Sequence, residues 1–123
     1  MTLRVTNIEY DLYQGSYSEL DLVYPNYVDG VLTPINLTGA SITCKFRKNT
    51  SSPVVLTLST ASNTIVITDA LNDEFKLKFP SALTSAINEK GNVVYQAHVE
   101  VVLAGETTRS HQITTTFYPE INS

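Results

Sequence analysis

The run VVYQAHVEVVLAGETTRSHQITTTF, residues 93–117, decides the fold. Val93, Tyr95, Ala97, Val99, Val101 and Leu103 fall on alternate positions, the two-residue period of a strand with one buried face. Ala104-Gly105-Glu106 is a hairpin turn, and Thr107 to Phe117 returns until Pro119 stops it. Two registers are open. A two-residue turn at Ala104-Gly105 sets the inward face of residues 93–103 opposite Thr114, Gln112 and Ser110. A turn centred on Gly105 pairs Ala97 with Ile113 and Val93 with Phe117. The second buries more apolar surface, and a one-residue slip would flip every side chain, so it is the expected register. It places His98 and His111 on opposite faces.

The same period runs outward from this hairpin. Ile8, Tyr10 and Leu12 alternate with polar neighbours, and Gln14-Gly15-Ser16 turns into a second run at Leu20, Leu22 and Tyr24. Asp29-Gly30 is a strong turn pair. Ala40 to Arg47 reads as a strand with Ile42, Cys44 and Phe46 inward and Thr43, Lys45 and Arg47 outward. Short strands follow at 54–58 and 64–68, a turn at Asp69 to Asp73, and then Phe75, Leu77 and Phe79. Pro80 to Ile87 is the one helical candidate, with Ser81 as its N-cap and Gly91 as its end. About eight strands at such spacing predict an all-β, immunoglobulin-like two-sheet antiparallel sandwich with one short helical turn, residues 93–103 being central. A closed barrel is the second architecture. The chain reads as one domain, residues 1–123, long enough to bury a core without metal or disulfide staples.

Composition narrows function. The net charge is −4 and the eight basic residues are scattered, which argues against a nucleic-acid binder. Lys45 and Arg47 share a face that reads as solvated. No stretch approaches the ~20 apolar residues of a membrane helix. No export signal is visible, so the expectation is a protein made in the cytoplasm.

Candidate chemistry is thin. Asp69, Asp73 and Glu74 offer three carboxylates where calcium needs six or more oxygens, so an exposed acidic turn is the better reading. The two histidines lack a third metal ligand. Cys44 has inward parity and should behave as a small apolar group. No Gly-x-Ser-x-Gly elbow and no phosphate-cradling glycine loop occurs. The expectation is a protein without catalytic residues, metal or cofactor.

Tyrosine is more informative. Five of the seven lie in the first quarter of the chain. Tyr10 and Tyr24 share the core parity. Tyr13, Tyr17 and Tyr27 are out of phase or in turns, and exposed tyrosine suits an interface or sugar stacking. With Tyr118 and Pro119 they form the expected partner-contact set.

A resemblance rests on residues in order. Asn36-Leu37-Thr38-Gly39-Ala40-Ser41-Ile42 with Phe46-Arg47-Lys48 and Pro53-Val54-Val55-Leu56 resembles a pattern of small tailed-bacteriophage structural proteins. Ile65-Val66-Ile67-Thr68-Asp69-Ala70 with Phe75-Lys76-Leu77, then Leu83-Thr84, Val94-Tyr95, Thr108-Arg109 and Tyr118-Pro119-Glu120, continue it across residues 7–121. Ile113 departs from the pattern, standing where a small residue is usual. The resemblance implies an immunoglobulin-like, non-enzymatic virion component of tail, baseplate or fibre. Its partners would be other virion proteins in symmetric copies, with neither nucleic acid nor membrane. A capsid decoration (cement) protein and a carbohydrate-binding module that meets a surface glycan are the alternatives. The resemblance carries no catalytic residues.

Overall fold

The computed structural model describes residues 2, 3 and 6–120, with side chains from residue 7 onward. In chain order the strands are β1 (Thr2–Leu3), β2 (Thr6–Tyr13), β3 (Ser18–Val23), β4 (Asn26–Val28), β5 (Val31–Leu32), β6 (Ser41–Arg47), β7 (Leu56–Ser59), β8 (Ile65–Asp69), β9 (Glu74–Phe79), β10 (Val93–Leu103) and β11 (Glu106–Tyr118). A five-stranded sheet has the order β2-β11-β10-β6-β7, and a three-stranded sheet has the order β3-β9-β8. These eight strands make the sandwich, with β10 central in the larger sheet. β1, β4 and β5 form a small third sheet.

All pairings are antiparallel except β2 with β11, which run parallel from His111↔Thr6 to Tyr118↔Tyr13. β2 laid parallel to β11, β11 beside its hairpin partner β10, and a second sheet of order β3-β9-β8 packed across them make an immunoglobulin-like sandwich. The chain is an open sandwich, not a barrel.

The core is the meeting of the two inward faces. Ile42, Cys44 and Phe46 of β6, Tyr95, Ala97, Val99 and Val101 of β10, and Ile113 and Phe117 of β11 face Leu22, Ile65, Phe75, Leu77 and Phe79 of the smaller sheet. Phe46 meets Phe79 edge-on at 5.8 Å and Tyr95 lies 6.0 Å from Phe117. Ile113, the departure from the resembled pattern, is fully buried opposite Ala97, so its bulk is taken up by a small cross-strand neighbour.

Both registers of the last hairpin are present, one after the other. Leu103 pairs with Glu106 around a two-residue turn, Ala104-Gly105, with φ of 53° and 81°, as a type I′ turn requires. The register then slips: Glu100 pairs with Arg109 but Val99 with His111, leaving Ser110 as the extra residue of a β-bulge. Beyond the bulge Ala97↔Ile113 and Val93↔Phe117 hold, as the apolar pattern demands. The bulge buries Ser110 and His111 together while leaving Arg109 exposed.

Three local expectations are corrected. The helix α1 is Ser81–Ser85, shorter than the run to Ile87 or Gly91, and its N-cap is Pro80 with no side-chain cap; Ser81 is already inside the helix. The turn after β8 is a 3-10 helix, Ala70–Asn72, capped by the Asp69 side chain. It is not an exposed acidic turn throughout. Asp73 is 1% exposed, sits at φ 50°, and its carboxylate accepts the Ile35 N–H at 2.9 Å. Burial pushes the Asp73 carboxyl above its usual range, which the Ile35 bond partly offsets.

A candidate partner-contact surface at one end of the sandwich

β2 and β11 run parallel, so both end at the same edge of the molecule, and Tyr13 and Tyr118 come side by side as register partners. Their rings stack at 4.9 Å with an interplanar angle of 16°. Tyr13 remains 53% exposed and Tyr118 is half-buried. Outward parity on two adjacent strands is the cause: Leu12 and Phe117 point into the core, so their successors point out.

Gln14, the residue after Tyr13, locks this end. Its backbone N–H donates to the Tyr118 carbonyl at 3.0 Å. Its side-chain amide donates to the Ile87 carbonyl at 2.9 Å and accepts the Glu120 N–H at 2.7 Å. Gly15 follows at φ 79°, a conformation that favours glycine, and its N–H donates to Thr84 Oγ1 at 3.0 Å. Thr84 is fully buried, and its hydroxyl lies 3.2 Å from the Ser16 carbonyl. One short turn therefore holds α1, the start of β3 and the chain after β11 in fixed relation. Gln14 read only as part of a turn and Thr84 only as part of the resembled Leu83-Thr84 pair; their bracing role was hidden because their partners lie 69 to 106 residues away.

Tyr17 belongs to the same end, just before β3, and is 56% exposed. Its hydroxyl donates to the Glu19 carboxylate, which also takes Lys76 Nζ at 2.8 Å. That bond raises the Tyr17 phenol above its usual range, and Lys76 holds Glu19 below its own. Asp11 beside Tyr118 raises that phenol too. Both shifts favour the neutral phenol at Tyr17 and Tyr118. Pro119 is half-buried next to Tyr118.

Tyr27 does not join them. It lies on β4, opposite Leu32 of β5, beyond the far end of β3. The expected contact set therefore divides: Tyr13, Tyr17, Tyr118 and Pro119 at one end of the sandwich, Tyr27 at the other. Tyr10 packs on Phe79 at 5.1 Å, and Tyr24 is buried with its hydroxyl 2.9 Å from Thr108 Oγ1, as their parity requires.

The remaining reactive groups are dispersed. Cys44 is buried, with its thiol pushed up to about 12 by desolvation. His98 is exposed on the outer face of β10, while His111 is 2% exposed on the inner face of β11. Ser110 Oγ lies 2.7 Å from His111 Nδ1, and Phe75 meets the ring edge-on at 5.9 Å. Burial lowers the His111 pKa to about 4. Among the described residues, no three His, Cys, Asp or Glu side chains gather as a metal site.

No family model matches the chain, and no curated protein matches it. Among solved structures, the periplasmic chaperone SfaE is similar over 94% of this chain and 55% of that chain, at 14% identity and a TM-score of 0.42. The chain spans about half the length of that chaperone.

Proposed function

We propose that this chain is a non-enzymatic structural module of a tailed-bacteriophage virion, acting in assembly of the tail, baseplate or fibre attachment. The reading is carried by the braced aromatic end. Tyr13, Tyr17, Tyr118 and Pro119 emerge from backbone fixed by Gln14 and Thr84, so docking them orders little further chain. Large, rigid, amphipathic side chains are the usual anchors of protein interfaces. Repetition around a symmetric particle turns a small contact into firm attachment. The ordered resemblance over residues 7–121 supplies the setting. A glycan platform is less favoured, because Tyr13 and Tyr118 cover one face of each other.

Gradient-purified particles from the strain that carries this gene, digested and examined by mass spectrometry, test the proposal. The chain should co-purify with particles at a stoichiometry above trace. Its presence only in the free-protein fraction would refute the reading. Antibody labelling of detached tails supports the tail assignment, and labelling of heads alone would replace it with capsid decoration.

A further inference from the structure

The outer face of the five-stranded sheet carries a trough of about 280 Å³ over β6 and β10, closed on one side by the loop at Asn49 and Thr50. This is smaller than most cofactor clefts, which begin near ~300 Å³. It has room for a few side chains of another molecule. Lys45, Arg47 and Arg109 line it, with Glu100 as its one carboxylate.

The charge arrangement is built by register. Lys45 and Arg47 are two residues apart on β6, so they stand on one face about 7 Å apart. Lys45 lies opposite His98, and Glu100 opposite Arg109. The Ser110 bulge sets this last pairing, keeping Arg109 on the outer face although the next two residues turn inward. None of the three cations forms an ion pair with a described acidic side chain, whereas Lys48 and Lys76 do. A chain with net charge −4 has acidic groups to spare, yet leaves these three cations unpaired around one concavity.

We infer that this trough binds a short acidic, extended segment of another polypeptide. Arg47 and Arg109 offer forked donors that match carboxylates, and Lys45, level with His98 while Arg47 is level with Gln96 and Arg109 with Glu100, adds a point charge between them along the strand direction. Thr43, Asn49 and Gln96 line the same trough and can bond the segment's main chain. Nucleic acid fits poorly. A long polyanion would extend past the trough, and outside Lys45, Arg47, Arg109 and Glu100 the chain carries eleven acidic against five basic side chains. The inference does not depend on the virion reading, because the trough is apart from the tyrosine end and its chemistry stands on the sheet register alone.

The test uses a fluorescein-labelled peptide of about ten alternating Glu and Thr residues, long enough to lie along a strand. Anisotropy with the purified full chain at low ionic strength should show saturable binding that weakens as salt rises. Arg109→Glu should reduce affinity about tenfold, and Arg47→Glu by a similar factor, whereas Lys90→Glu, with the same charge change at an exposed loop site, should change it less than about threefold. Arg109 is exposed, so its variant keeps the test valid if Arg47→Glu destabilises the fold. Absence of saturable binding would overturn the inference. So would equal loss in Lys90→Glu, which would mean bulk charge alone. Equal affinity for the Gln-for-Glu peptide, or complete displacement by millimolar inorganic phosphate, would overturn it too.

Discussion

Phe46 and Lys45 are neighbours in the chain with opposite surroundings. Phe46 is 1% exposed against Phe79, and Lys45 points to solvent. Phe46→Ala should cost roughly 3–5 kcal/mol by leaving a cavity, while Lys45→Ala should stay within about 0.5 kcal/mol. Urea unfolding of both variants measures the difference. His111 supplies a pH signature. Its folded pKa of about 4 lies below the ordinary 6.5, so the folded chain binds fewer protons than the unfolded one between those values. Stability from this group is complete above about pH 6.5 and is lost as pH falls toward 4, with a slope of at most about 1.4 kcal/mol per pH unit. His111→Gln should remove that component of the slope whatever its own stability; an unchanged profile would place the titration elsewhere.

At the scale of elements, legibility followed burial. β6, β9 and β10 bury one face each, and their alternation alone places Ile42, Phe46, Phe75, Leu77 and Val99 inward. The bulge was hidden because each half of the last hairpin obeys its own local rule. Ala104-Gly105 favours a two-residue turn, and Ala97 and Ile113 favour the shifted register. One extra residue, Ser110, satisfies both. β4 is three residues long and β5 is two residues long and exposed, so they leave little periodic signal around Asp29-Gly30. The contact end was legible only as a list of out-of-phase tyrosines; its bracing by Gln14 and Thr84 depends on distant partners. The turn yields a prediction. Ala104 holds φ 53° without the tolerance of asparagine or glycine. Ala104→Asn should stabilise the chain by about 0.5–1 kcal/mol, seen as a higher urea midpoint with unchanged slope.

For the whole molecule, the sandwich buries its main apolar cluster between two sheets and presents two unlike surfaces. One is the aromatic end, the other the basic trough on the outer face of the larger sheet. Tyr13→Ala with Tyr118→Ala removes exposed rings that contribute little to the core, so the melting temperature should shift by only a few degrees. Particle incorporation of the same variant should fall severalfold, scored by quantitative mass spectrometry against an unchanged structural protein. The most direct test of the proposed virion role is a near-atomic cryo-electron-microscopy map of the phage particle. It should show Tyr13, Tyr17 and Tyr118 buried against a neighbouring protein in symmetric copies. A map with all three rings in solvent at every copy would contradict the account.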